Sequence, residues 1–120
     1  MPRVPLRQLF GAILLLIAHQ TVWAHAHPAT MVPAANAAVA APHEVQMRFT
    51  EQLEPALSSI EVSDAQGKKV AGSPSAVDSA APDTMRRPLP TLATGRYTVK
   101  WVAVAKDGHR THGSYTFNVQ

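Results

Sequence analysis

The chain has 120 residues, 46% of them hydrophobic, a formal net charge of +3 with histidine neutral, and no cysteine. That length holds one small domain, and the lack of cysteine excludes disulfides and thiolate metal sites. Arg3 and Arg7 stand apart at the start, so residues 25–120 keep nine of the 11 basic side chains against 8 acidic ones; the high overall basicity is therefore no argument for nucleic-acid binding.

After the two arginines, Leu9 to Ala18 form an apolar run of the length of a signal-peptide core and too short to cross a bilayer, which takes roughly 20 residues. Val22-Trp23-Ala24 follows with modest side chains at the −3 and −1 positions of a signal-peptidase site. The expectation is a signal peptide over residues 1–24, export from the cytoplasm, and a mature domain over 25–120 that begins at His25. Ala24-His25-Ala26 also fits the small-x-small rule, and cleavage after Ala26 would start the chain at His27 instead.

From Pro28 to Pro42 the chain is rich in alanine but interrupted by prolines, which disfavours a helix and predicts an extended edge strand with bends. Val45, Met47 and Phe49 then alternate with polar residues, the pattern of a half-buried strand. Ile60 and Val62 repeat it up to a turn at Asp64-Ala65-Gln66-Gly67, with a return segment around Lys69 and Val70. Residues 72–83 read as a loop, and Arg86 to Leu92 as an edge strand between prolines. The clearest strand is Gly95 to Ala105, with Tyr97, Val99, Trp101 and Ala103 on one face. Its partner carries Tyr115, Phe117 and Val119, and Lys106-Asp107-Gly108-His109 interrupts the pair. Short strands at regular spacing predict an antiparallel sandwich or barrel.

Five histidines fall in the mature part: His25, His27, His43, His109 and His112. A histidine at a free N-terminus is special, because its α-amine and ring can chelate one metal together. A further imidazole and a carboxylate would complete a tetragonal N,O site, which favours Cu(II) and Ni(II), with copper the tighter. Asp107-Gly108-His109 can supply both, since residues two apart in an extended segment point the same way and Gly108 permits a turn. His27 opens a second possibility: the amine, two deprotonated backbone amides and the ring of a third-position histidine form a square-planar complex without any fold. His43 and His112 read as surface residues.

The His-Ala-His-Pro start, the stretch Met47-Arg48-Phe49-Thr50-Glu51-Gln52-Leu53-Glu54-Pro55, and Asp107-Gly108-His109 followed by Gly113-Ser114-Tyr115-Thr116-Phe117 together resemble the CopC family of periplasmic copper proteins over essentially the whole mature chain. The resemblance implies a seven-stranded Greek-key sandwich or barrel, immunoglobulin-like or cupredoxin-like. It also implies Cu(II) held by the amine and ring of His25, the carboxylate of Asp107 and the ring of His109, with Glu51 as an outer or weak axial group. Some relatives add a Cu(I) site in a methionine-rich loop. Residues 64–75, which correspond to it, contain neither methionine nor histidine, so the chain resembles a Cu(II)-only member, with Met47 in the core.

The function implied is copper homeostasis or resistance without catalysis, by sequestering Cu(II) or by passing it to an inner-membrane copper transporter of the CopD type; nothing in the sequence sets the oligomeric state, and a monomer is the default expectation. Two other readings stand beside it. One is a small copper monooxygenase, which also uses an N-terminal histidine but needs an open position for oxygen and a surface for its polysaccharide. The other is a metal-free immunoglobulin-like module for adhesion or assembly.

Overall fold

The structure is a computed structural model that describes Pro2 and residues 25–120; Pro2 apart, the expected signal peptide and its cleavage site at Ala24 lie outside the described residues. Eight strands run in chain order: β1 (Pro28–Val32), β2 (Ala38–Val39), β3 (Glu44–Phe49), β4 (Ser59–Ser63), β5 (Ala76–Asp78), β6 (Ala81–Pro88), β7 (Gly95–Val104) and β8 (Arg110–Val119). They form two four-stranded sheets, ordered β1-β3-β6-β5 and β2-β8-β7-β4. The expected all-β sandwich is the observed fold; the strand count of eight includes the two-residue β2.

Alternation builds the core. Val45, Met47 and Phe49 from β3, Ile60 and Val62 from β4, and Tyr97, Val99, Trp101 and Ala103 from β7 all point inward and are buried. Phe117 and Val119 join them from β8. Phe49 meets Trp101 edge-on, with ring centroids 5.3 Å apart, and Tyr97 stacks on Phe117 at 5.6 Å. Burying each large side chain of this kind contributes about 1.5–3 kcal/mol relative to leaving it in water. Two of the described methionines, Met47 and Met85, are fully buried, and Met31 packs against the same cluster.

Three expectations change. The segment 28–42 is two strands rather than one: β1 pairs antiparallel with β3, while β2 pairs parallel with β8 in the other sheet. Residues 72–83 are only partly loop, since they contain β5 and the start of β6, joined by a turn in which Asp78 Oδ1 accepts the amide of Ala80 at 2.9 Å. Finally, the strand expected from Arg86 onward starts at Ala81 and is interior, held between β3 and β5.

The physical reason for the last change is Arg87. This arginine is buried at 6% exposure on an inward position, where a sequence pattern reads polarity as solvent. Its guanidinium donates to the carbonyls of Val70, at 2.8 Å, and of Ala71 and Pro88. A buried cation satisfied by backbone oxygens replaces the apolar side chain that alternation would demand.

The connection between the two longest strands positions the candidate site. β7 and β8 are in register from Gly95↔Val119 to Val104↔Arg110, which carries residues 106–109 to one end of the sandwich. Gly113 lies opposite Trp101 in this ladder, and a Cβ built on it would fall 2.7 Å from the indole. The glycine makes room for the ring.

Candidate metal centre

The β7–β8 turn is closed by its own backbone. Gly108 donates to Ala105 O at 2.9 Å, and Ala105 donates to His109 O at 2.9 Å. Gly108 has φ +89°, a left-handed conformation that glycine adopts without a steric penalty. Asp107 and His109 therefore meet across a tight turn, rather than by the same-side geometry of an extended segment that their spacing suggested.

Within the turn, Asp107 Oδ1 accepts the His109 amide at 3.0 Å and Asp107 Oδ2 lies 2.9 Å from His109 Nδ1. The amide hydrogen bond, and after it the His109 ring, hold the Asp107 carboxyl below the usual carboxylate range, with a smaller contribution from His25. A neutral His109 with its Nδ1–H directed at this carboxylate would present Nε2 as the nitrogen available to a metal. Both side chains are largely exposed, at 57% for His109 and 41% for Asp107.

His25 comes from the segment that leads into β1. Its ring stands edge-on to His109, with centroids 4.9 Å apart and planes at 83°. The His27 ring is 6.4 Å from that of His25. Glu51, in the turn after β3, lines a pocket of about 270 Å³ together with Gln52, Ala105, Lys106 and Asp107. The structure thus gathers His25, His27, Asp107 and His109 at one end of the sandwich, and places Glu51 with Asp107 on the rim of the same pocket. His43 and His112 are exposed elsewhere: His43 precedes β3, and His112 faces outward from β8 opposite Val102.

Among the described residues, no three His, Asp or Glu side chains form a ready-made metal cage. The donor chemistry of a nitrogen-rich site is nevertheless present: two imidazoles in ring contact and a carboxylate held ionised. In a chain beginning at His25, the α-amine would add a fourth donor.

Two threonines that sequence reasoning missed fix the backbone of this segment. Thr50 Oγ1 accepts the His27 amide at 3.0 Å and donates to His25 O at 3.3 Å, while the Thr50 amide donates to His27 O at 2.9 Å. On the other side, Thr111 Oγ1 donates to Ala26 O at 2.6 Å. Between them the Ala26 methyl is fully buried and belongs to the core cluster. A threonine at a strand end carries no local signal of such distant partners.

Comparison with known proteins agrees with this architecture. Residues 29–120 match the CopC domain. The chain is 34% identical over 117 residues to protein YobA of Escherichia coli K12, covering 96% of this chain and 94% of that one. It is 34% identical over 120 residues to copper resistance protein C of Pseudomonas syringae pv. tomato, covering 93% and 92%. Among solved structures, CopC from Methylosinus trichosporium OB3b superposes with a TM-score of 0.75 at 36% identity, over 80% of this chain and 94% of that one. PcoC, a methionine-rich copper resistance protein from Escherichia coli, gives 0.73 at 34% identity, over 81% and 100%. Sequence, fold and coverage agree, and the chain belongs to the CopC family.

Proposed function

We propose that the protein is a periplasmic copper resistance protein that binds Cu(II) as cargo, through the amine and ring of an N-terminal His25, the carboxylate of Asp107 and the ring of His109. The observation that carries this reading is the contact between His25 and His109, 4.9 Å between ring centroids, which joins the expected mature N-terminus to the Asp-Gly-His turn. Relatives named for copper resistance, at 34–36% identity, support the copper assignment.

Cleavage after Ala24 fits the packing better than cleavage after Ala26. The later cut would remove the fully buried Ala26 methyl together with the carbonyl that Thr111 holds. The folded site is likewise favoured over the local His25-Ala26-His27 chelate. That chelate needs the deprotonated amides of Ala26 and His27 as ligands, whereas the His27 amide is engaged by Thr50 and Ala26 is buried.

Cu(II) is favoured over Cu(I) by the hard and borderline donors at the site, and by burial of Met47 and Met85, which keeps those thioethers from solvent. Trp101, buried beneath Gly113, offers no aromatic platform for a polysaccharide, which supports a carrier rather than a monooxygenase. In this reading the protein is a monomer that sequesters copper or hands it to an inner-membrane transporter of the CopD type.

The test begins with the mass of the mature protein, to fix its first residue. Its Cu(II) affinity is then compared with that of His109→Ala by competition against a chelator. Loss of a ligand should cost at least about 100-fold, beyond the 10–100-fold typical of outer-shell partners. Unchanged affinity would assign copper to the N-terminal tail alone.

A further inference from the structure

We infer that Thr50 and Thr111 are positioning residues that select the coordination mode of the N-terminal segment, admitting the site shared with His109 and denying the tail its own square-planar complex. The inference rests on the proposed Cu(II) site and concerns a different question: which of two competing complexes forms at the same histidine.

The competition arises from sequence. His25-Ala26-His27 has the spacing at which an amine, two ionised amides and a third-position imidazole enclose Cu(II) or Ni(II) in a plane of four nitrogens. That complex requires the two amides following His25, those of Ala26 and His27, to lose their protons and turn toward the metal. It also requires the backbone to curl so that three consecutive residues share one plane. Both requirements are opposed by hydrogen bonds in the fold.

Thr50 opposes them most directly. Its hydroxyl accepts the His27 amide at 3.0 Å and donates to His25 O at 3.3 Å, so one side chain ties the residues on both sides of Ala26. Its own amide donates to His27 O at 2.9 Å, which continues the β1–β3 pairing beyond Pro28↔Phe49. Thr111 fixes the residue between: its hydroxyl donates to Ala26 O at 2.6 Å, with Ala103 O as a second acceptor at 3.4 Å. The Ala26 methyl is fully buried. Rotating either amide toward a metal would break the Thr50 contacts, withdraw Ala26 from the core and leave the Thr111 hydroxyl without its shorter partner. The same contacts hold His25 where its ring meets His109. Coordination is thereby decided by hydrogen bonds to backbone, from residues that do not touch the metal.

The experiment uses the mature chain from His25, with Cu(II) and Ni(II) as probes, in wild type, Thr50→Val, Thr50→Ser, Thr111→Val and His109→Ala. Valine keeps the shape of threonine and removes the hydroxyl; serine keeps the hydroxyl. The expected wild-type Cu(II) signature, by electron paramagnetic resonance and visible absorption, is mixed nitrogen and oxygen ligation, and Ni(II) stays paramagnetic. Thr50→Val should move the copper band to higher energy as amide nitrogens enter, yield diamagnetic square-planar Ni(II), and weaken the folded site about tenfold. Thr111→Val should shift the same way, and Thr50→Ser should restore the wild-type signature.

Hydrogen exchange of the metal-free wild type supplies a measurement that needs no variant: the His27 amide should be protected, and unprotected exchange there overturns the inference. A wild-type signature retained in a folded Thr50→Val, while His109→Ala has lost it, overturns the inference alone. A four-nitrogen signature already present in the wild type overturns both the inference and the folded site on which it rests.

Discussion

The rings of His25 and His109 meet edge-on at 4.9 Å although one precedes β1 and the other follows β7. If His25 contributes its amine as well as its ring, the first residue must be His25 itself. A mature chain carrying one extra glycine before His25 is therefore expected to lose at least about tenfold in Cu(II) affinity, measured by chelator competition. Its metal-free melting temperature should be unchanged, because His25 is exposed. Equal affinity of the extended chain would remove the amine from the ligand set.

Asp107 sets a pH prediction. Its carboxyl is held below the usual range by the His109 amide and ring. A lowered folded-state pKa contributes stability above the ordinary carboxylate value, and that stability is lost as pH falls through the folded value. Asp107 therefore stays ionised from pH 8 down to pH 5, and its own protonation does not compete with copper in that window. Copper affinity should still fall as pH drops, because the nitrogen donors must be unprotonated to bind the metal. Asp107→Asn should lower affinity throughout without changing the shape of this profile. A changed shape, in competition titrations at several pH values, would mean that Asp107 itself titrates in the window.

Gly113 is expected to resist even alanine. The new Cβ would lie 2.7 Å and 2.9 Å from Trp101 ring atoms, and the ring cannot slide freely because Phe49 packs against it. Gly113→Ala should destabilise by about 1–3 kcal/mol, the usual range for overpacking, with a change in tryptophan fluorescence. Chemical denaturation measures it, and an unchanged midpoint would show that the indole has room to move.

Tyr115 gives the opposite sign. Its hydroxyl is buried with no hydrogen-bond partner among the described residues, and burial pushes its pKa up to about 12. Tyr115→Phe removes an unsatisfied polar atom and keeps the ring, so stability should be equal to or greater than that of the wild type, by up to about 1 kcal/mol. A clear loss in thermal denaturation would reveal a partner for the hydroxyl.

Strands with an apolar face of period two, β3, β4, β7 and β8, were legible because burial on one side leaves an alternating pattern in the residues. β5 and β6 were not: β5 has only three residues, and Arg87 stands on the inward face of β6 as a cation satisfied by carbonyls of residues 70 and 71. At the site, His25 stood out as the first residue after the expected cleavage point, and Asp107 and His109 stood out through the resemblance to the CopC family, since an Asp-Gly-His spacing by itself is most often an ordinary strand connection. Thr50 and Thr111 could not stand out. Their partners lie 25 and 85 residues away, and a hydroxyl bonded to distant backbone leaves no trace in local pattern.

The proposed copper ligands come from opposite sheets, since residues 25–27 lead into β1 while Asp107 and His109 continue from β7. A metal ion joining them would bolt one end of the sandwich shut, in a chain with no cysteine to do so covalently. Ligand at 100 times its dissociation constant stabilises the folded state by about 2.7 kcal/mol, so the loaded protein should outlast the empty one under protease attack. Turnover would then follow supply: copper starvation would shorten the lifetime of the protein, and copper excess would let it accumulate without any change in its synthesis.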